Sequence, residues 1–140
     1  GAPISFYREQ HRFGERPYLT LKMGLEMDRD MLYRRIDERV NQMLEKGFLQ
    51  EVEKLMEVGY GPELKPMQGL GYKQMVQFLS KEIKWDEAVG QMKRDTRHYA
   101  KRQLTWFKAD PEVQWWDEST DRQKIFLKIK YFWGRGGTAA

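Results

Sequence analysis

The chain has 140 residues, enough for one domain, and its 40% apolar content with five Trp, seven Tyr and seven Phe can supply one hydrophobic core. Cysteine is absent, which excludes disulfides and thiolate metal sites. The net charge is +4, no apolar run approaches the roughly 20 residues that span a bilayer, and no signal peptide is visible, so we expect a cytoplasmic protein without membrane contact.

The N-terminal region predicts an arm followed by a strand. Residues 1–17 are polar with little periodicity, which indicates an arm or a severed connection. From Tyr18 to Met27 apolar and polar residues alternate, which predicts a strand buried on one face. Backbone donors of a strand need a neighbour, yet only the short stretch 112–116 resembles a second strand. We therefore expect this strand to come from a sheet that lies mostly outside the chain.

The remaining sequence predicts five helices, so the fold class is mostly α with one or two strands. Asp28 and Asp30 provide capping oxygens for the first helix, which runs to about Lys46 and ends at Gly47. Further helices are expected at about 48–58, 72–80, 86–108 and 121–133, with a glycine- and proline-rich loop at 59–71 and a frayed tail from residue 134.

The long helix carries the stretch "TRHYAKRQLTWFK", residues 96–108. A step of 100° per residue places Arg94, Arg97, Lys101 and Lys108 within an arc of about 60°. These cations repel one another unless phosphates lie between them. The stripe therefore predicts nucleic-acid binding, with an ordinary charged, solvated face as an equally weighted alternative.

The opposite side of this helix is predicted to be apolar, and Tyr99 and Phe107 belong to it. Thr96 and Gln103 also fall there, and each needs a polar partner from core backbone or from a ligand. Trp106 and Phe107 can stack on bases, but burial in the core is the alternative that the pattern favours for both.

Two other stretches could hold an anion. In "LYRRIDERV", residues 32–40, Arg35 and Arg39 are four residues apart and repel each other, although pairing of Arg35 or Arg34 with Glu38 is the ordinary alternative. In "QGLGYK", residues 68–73, glycines precede a helix start whose free N–H groups favour an anion, with a simple turn as the alternative. Local catalytic or metal-binding sets are not predicted.

Taken together, "LYRRIDERVNQMLEKGFLQEV", "QGLGYKQM" and "DTRHYAKRQLTWFK" resemble the C-terminal part of the tRNA dimethylallyltransferases, also called tRNA isopentenyltransferases, from about residue 3 to residue 117. The resemblance implies transfer of a dimethylallyl group from dimethylallyl diphosphate to N6 of the adenosine beside the anticodon. It also implies that the P-loop and the catalytic residues belong to an N-terminal part of the same α/β enzyme. We therefore expect a C-terminal fragment that is inactive alone.

The resemblance also assigns roles along the chain. It implies that Arg39, with Arg35 nearby, contacts the diphosphate, and that Mg²⁺ assists, although no metal ligands are predicted here. The residues implied to contact the anticodon stem-loop of tRNA are Gln68, Gly69, Leu70, Gly71, Tyr72, Lys73, Arg97, Lys101, Arg102, Gln103, Leu104, Thr105, Trp106, Phe107 and Lys108. We expect Arg39, Lys73 and Lys101 to converge on one shared cleft.

Three regions follow from this interpretation. Residues 1–17 would end an inserted region, residues 18–117 would form the helical C-terminal region of the prenyltransferase core, and residues 118–140 would add a helix and a tail of no recognised role. The alternatives are a stand-alone, non-catalytic RNA-binding module and an interaction domain whose basic stripe meets an acidic protein.

Overall fold

The structure is a computed structural model that describes residues 3, 5, 6, 18–117 and 119–136. The predicted arm lies almost wholly outside these residues. The described elements are β1 (Lys22–Glu26), α1 (Arg29–Glu45), α2 (Phe48–Glu57), a 3₁₀-helix (Lys65–Gln68), α3 (Tyr72–Leu79), α4 (Trp85–Lys108), β2 (Val113–Asp117) and α5 (Arg122–Gly136). The mostly helical fold class is thereby confirmed. Two boundaries were wrong: β1 begins at Lys22 instead of Tyr18, and α5 continues into the segment predicted to be a frayed tail.

Chain contacts divide the protein into two compact units. One unit comprises Gly1–Glu26 and Pro111–Ala140 and is called the strand unit here. The other comprises Met27–Asp110 and is called the helical unit. All candidate site residues named above fall in the helical unit.

In the strand unit, β1 and β2 pair in parallel, with Lys22 opposite Val113. The predicted one-sided burial of the first strand was wrong for this unit, since Leu19 and Leu25 are 73% and 57% exposed. A parallel pair buries its faces only where other elements cover them. Gly24 is required by a close approach, because a Cβ there would lie 2.7 Å from the Trp115 ring.

The start and end of α1 follow from local chemistry, as predicted. The Asp28 carboxylate accepts hydrogen bonds from the backbone N–H groups of Asp30 at 2.9 Å and Met31 at 3.1 Å. Gly47 follows the helix with φ +94°, a left-handed conformation that favours glycine. Because these signals need only neighbouring residues, the sequence alone sufficed to place them.

The core of the helical unit lies where α1 to α4 meet. Val52 and Met75 are fully buried at its centre. The other buried members are Val40, Phe48, Met67, Val76, Ala88 and Met92. This packing fixes α3, and the glycine segment before it, against the first half of α4.

The second half of α4 extends away from the core. Ala88 and Met92 are buried, but Tyr99 is 48% exposed, Trp106 72% and Phe107 43%. The prediction that Tyr99 lies on a buried side, and the favoured burial of Trp106 and Phe107, were therefore wrong. The reason is length: α4 has 24 residues and is about 36 Å long, whereas α1, α2 and α3 have 17, 10 and 8.

The two polar residues on the apolar side of α4 find partners within the helix. The Thr96 hydroxyl donates to the Met92 carbonyl oxygen at 2.7 Å. The Gln103 side-chain amide donates to the Tyr99 hydroxyl at 3.3 Å, and both side chains are exposed. Neither residue therefore needs a ligand to satisfy it.

Candidate nucleic-acid interface

The glycine segment before α3 forms a turn that one buried amide holds in place. Gly71 is the N-cap of α3, with φ +91°, and its backbone N–H donates to the Gln74 side-chain oxygen at 2.9 Å. The Gln74 side-chain nitrogen donates to the Asp95 carboxylate of α4 at 2.9 Å. Gln74 is only 2% exposed, so this bridge ties the turn to α4 from the inside.

Sequence reasoning missed Gln74. A signal was available, because a Gln three residues after an N-cap can reach back to the cap N–H, as in half of a capping box. Its second partner could not be read from the sequence, since Asp95 lies 21 residues further along the chain.

A cleft of about 300 Å³ opens between the turn and α4, and we call it the polar cleft. Its walls carry two cations, Lys73 from α3 and Arg102 from α4, together with the exposed imidazole of His98. The residues that line it are Gln68, Gly69, Leu70, Lys73, Gln74, Asp95, His98, Tyr99 and Arg102. The structure thus brings part of the predicted glycine segment and part of the predicted basic helix to one site.

A second, open cleft of about 620 Å³ runs along the last turns of α4, and we call it the aromatic cleft. It is lined by His98, Lys101, Arg102, Thr105, Trp106 and Ala109. The Trp106 ring packs edge-on against Phe107, with 4.8 Å between ring centroids, and the Arg102 guanidinium lies 5.9 Å from the Tyr99 ring centroid. His98 and Arg102 line both clefts, so the two adjoin.

The cations predicted to form a stripe on α4 are Arg94, Arg97, Lys101 and Lys108. Part of their positive charge is neutralised by a carboxylate of α1. The Arg97 guanidinium donates to both carboxylate oxygens of Asp37 in α1, each at 3.1 Å. It also lies 5.6 Å from the Tyr33 ring centroid. Such a bidentate contact is well suited to Arg. Arg97 therefore joins α1 to α4, and its predicted contact with tRNA stays a prediction.

Arg35 and Arg39 are both exposed on α1. At 100° per residue, Arg39 lies about 160° around the helix from Asp37, the residue that faces α4. Neither arginine is among the described residues that line the polar or the aromatic cleft. The expected single cleft of Arg39, Lys73 and Lys101 is therefore not formed within the helical unit: Lys73 and Lys101 line adjoining clefts, and Arg39 lies on another edge.

Tyr72, which was predicted to contact tRNA, also makes contacts within the helical unit. Its hydroxyl donates to the Glu51 carboxylate of α2, and its ring packs edge-on against Phe48 at 5.1 Å. The hydrogen bond to Glu51, and then burial, raise the pKa of the Tyr72 hydroxyl above its ordinary value. Tyr72 therefore remains a protonated donor that ties α3 to α2.

Within residues 18–117 and 119–136, no three His, Asp or Glu side chains gather in a group that could hold a metal ion. None of the helices described there is both long and apolar enough to cross a bilayer.

A family model described as IPP transferase matches residues 1–110, which include both clefts. The chain belongs to the IPP transferase family. Its match to the family ends before β2 and α5.

Solved IPP transferase structures agree with this assignment. A tRNA isopentenylpyrophosphate transferase from Bacillus halodurans is 38% identical with a TM-score of 0.76, over 90% of this chain and 42% of that one. The corresponding protein of Staphylococcus epidermidis is 37% identical with a TM-score of 0.76, over 91% and 43%.

Curated relatives are closer in sequence. A tRNA dimethylallyltransferase of Syntrophobacter fumaroxidans is 56% identical over 92% of this chain, and one of Syntrophus aciditrophicus is 51% identical over 88%. These matches cover 37% and 40% of the relatives. The chain therefore spans about two-fifths of their length.

Proposed function

We propose that the chain acts as the C-terminal region of a tRNA dimethylallyltransferase, in which it binds the anticodon stem-loop of tRNA and contributes to the diphosphate site. The observation that carries the proposal is the meeting of the polar and aromatic clefts at His98 and Arg102. Relatives named for this activity support it.

The two clefts offer complementary chemistry to an RNA loop. Lys73 and Arg102 present cations on the two walls of the polar cleft, where phosphates can replace condensed counterions. Trp106, at 72% exposure in the aromatic cleft, presents a ring face on which an unpaired base can stack. Base stacking next to phosphate contacts is the usual way in which single-stranded RNA is held.

In the proposed reaction, the adenosine N6 attacks the allylic carbon, the carbon–oxygen bond to diphosphate breaks, and the amine loses a proton. Arg39, with Arg35 nearby, would neutralise charge that develops on the leaving diphosphate. The target base must leave the stack to reach that carbon. The P-loop and the catalytic residues would come from another part of the enzyme, and the chain alone would not carry out the transfer.

The binding part of the proposal is tested by removing one cation at a time. Lys73→Gln and Arg102→Gln should each weaken binding of an anticodon stem-loop RNA and lower the slope of log affinity against log salt by about one. Fluorescence anisotropy across a salt series measures both quantities. Lys81→Gln, an exposed lysine that lines neither cleft, is the matched control. Wild-type affinity and slope in both cleft variants would contradict the proposal.

The different roles proposed for Arg39 and Lys101 are tested in the whole enzyme that contains this chain. There, Arg39→Ala should raise the KM for dimethylallyl diphosphate or lower kcat, with little change in tRNA affinity. Lys101→Ala should instead weaken tRNA binding, because it removes one phosphate partner beside the aromatic cleft. Steady-state kinetics with each substrate varied in turn separates the two effects. If both variants changed the same parameter, the assigned roles would be wrong.

A further inference from the structure

The net positive charge of the protein is concentrated at its C-terminal helix. Residues 1–120 hold 20 Lys and Arg against 20 Asp and Glu, whereas residues 121–140 hold five Lys and Arg against one acid. That acid, Asp121, precedes α5 and already pairs with Lys124 at 2.7 Å. The helix lies beyond the residues that match the family model, so the clefts do not account for this charge.

The same helix exposes large apolar side chains. Trp133 is 81% exposed and Phe126 is 65% exposed. Leu127, Ile129 and Tyr131 are also exposed. Single exposed apolar residues are common, but Phe126, Ile129 and Trp133 fall within an arc of about 60°. Such a group on one surface indicates an interaction site.

Cations and aromatic rings alternate along one side of α5. Arg122, Phe126 and Lys130 follow one another at intervals of four residues, and Trp133 comes three residues later. At 100° per residue these four side chains fall within an arc of about 80°. All four are exposed, and we call them the α5 stripe. Among residues 122–134 of α5, whose burial is described, Ile125, Lys128 and Phe132 are partly buried, and they lie on a different side of the helix.

We propose that the α5 stripe, which shares no residue with the two clefts, is an RNA-binding surface in which Arg122 and Lys130 contact phosphates while Phe126 and Trp133 stack on unpaired bases. Charge complementarity selects this partner, because no acidic residue follows Asp121 in the chain. An amphipathic helix that lies on a membrane separates its cations from one broad apolar face. Within the α5 stripe, two rings and two cations share one narrow arc, which suits alternating phosphates and bases, whereas Lys124 and Lys128 lie on another side of the helix. That the RNA is tRNA rests on the function proposed above.

The test measures binding of a tRNA transcript to the chain by fluorescence anisotropy across a salt series. Arg122→Gln with Lys130→Gln should lower the salt slope by about two. Phe126→Ala with Trp133→Ala should weaken binding roughly fivefold or more, with an unchanged slope. Lys46→Gln with Lys54→Gln removes the same two charges from exposed positions that line neither cleft, and should change both quantities little. Because every substituted side chain is exposed, circular dichroism should be unchanged.

Several outcomes would overturn the inference. One is wild-type binding in both stripe variants, and the proposed function would then stand if Lys73→Gln and Arg102→Gln still weakened binding. Another is that the Lys46→Gln with Lys54→Gln control lowers the tRNA affinity and the salt slope as much as the Arg122→Gln with Lys130→Gln variant does, which would show that net charge alone matters. A third is unchanged tRNA binding with loss of binding to phosphatidylserine vesicles, which would make the stripe a membrane surface. Weak binding in the stripe variants with normal binding in the cleft variants would support the inference and contradict the proposed clefts.

Discussion

Gly71→Ala should lower the free energy of unfolding by about 2–5 kcal/mol, which is a large share of a small domain's stability. The backbone there has φ +91°, and a Cβ in a left-handed conformation costs about 1–2 kcal/mol. The new methyl group would also lie 3.0 Å from the Met92 Cε atom and 3.3 Å from the Phe48 ring. Crowding of a packed core costs about 1–3 kcal/mol. Urea denaturation followed by circular dichroism measures the sum.

Gly59→Ala is the matched control for the packing part of this effect. Gly59 also has a positive φ, +96°, but a Cβ there meets nothing within 4 Å. Its substitution should cost only the backbone part, about 1–2 kcal/mol. Equal losses for the two variants would mean that Gly71 is not packed against Met92 and Phe48 as described.

Gln74→Leu should destabilise the helical unit by about 2–4 kcal/mol. Leucine is similar in size, so the change removes two hydrogen bonds without a large cavity. It leaves the Gly71 N–H buried without its acceptor, a loss of about 1–3 kcal/mol, and it removes a donor from the Asp95 carboxylate. Because the turn forms a wall of the polar cleft, we also expect weaker binding of the anticodon stem-loop RNA.

The same substitution three residues later should behave in the opposite way. The Gln77 side-chain oxygen is buried and has no hydrogen-bond partner in the structure. Gln77→Leu replaces this unsatisfied acceptor by an apolar group, so the free energy of unfolding should stay the same or rise by up to about 1 kcal/mol. Urea denaturation of Gln74→Leu and Gln77→Leu compares their free energies of unfolding. Equal destabilisation would show that the Gln74 bridge contributes nothing specific.

Not every feature of the site was open to prediction. The turn before α3 and the cations of α4 were identified because each lies within one short stretch of sequence. Two contacts were not identified: the hydrogen bond from Gln74 to Asp95 and the ion pair of Arg97 with Asp37. Gln74 and Asp95 are 21 residues apart in the sequence, and Arg97 and Asp37 are 60 residues apart, so no local pattern connects them. The structure thus helps to explain why like charges are tolerated on α4: Arg97 pairs with Asp37, and the Arg94 guanidinium lies 3.8 Å from the Asp95 carboxylate.

The sequence by itself determined the four α-helices of the helical unit and where they begin and end, because caps and left-handed glycines act between neighbouring residues. The Asp28 cap and the glycine stops at Gly47 and Gly59 show this. The sequence did not predict the 3₁₀-helix, which lies in the predicted loop. Only the tertiary structure decided which apolar side chains are covered. Burial in the core was the favoured alternative for Trp106 and Phe107, yet both stay exposed because α4 is longer than the helices that pack against it. The periodicity of apolar residues predicts which face of a helix is buried. The length of the helices packed against that face decides how much of it is covered.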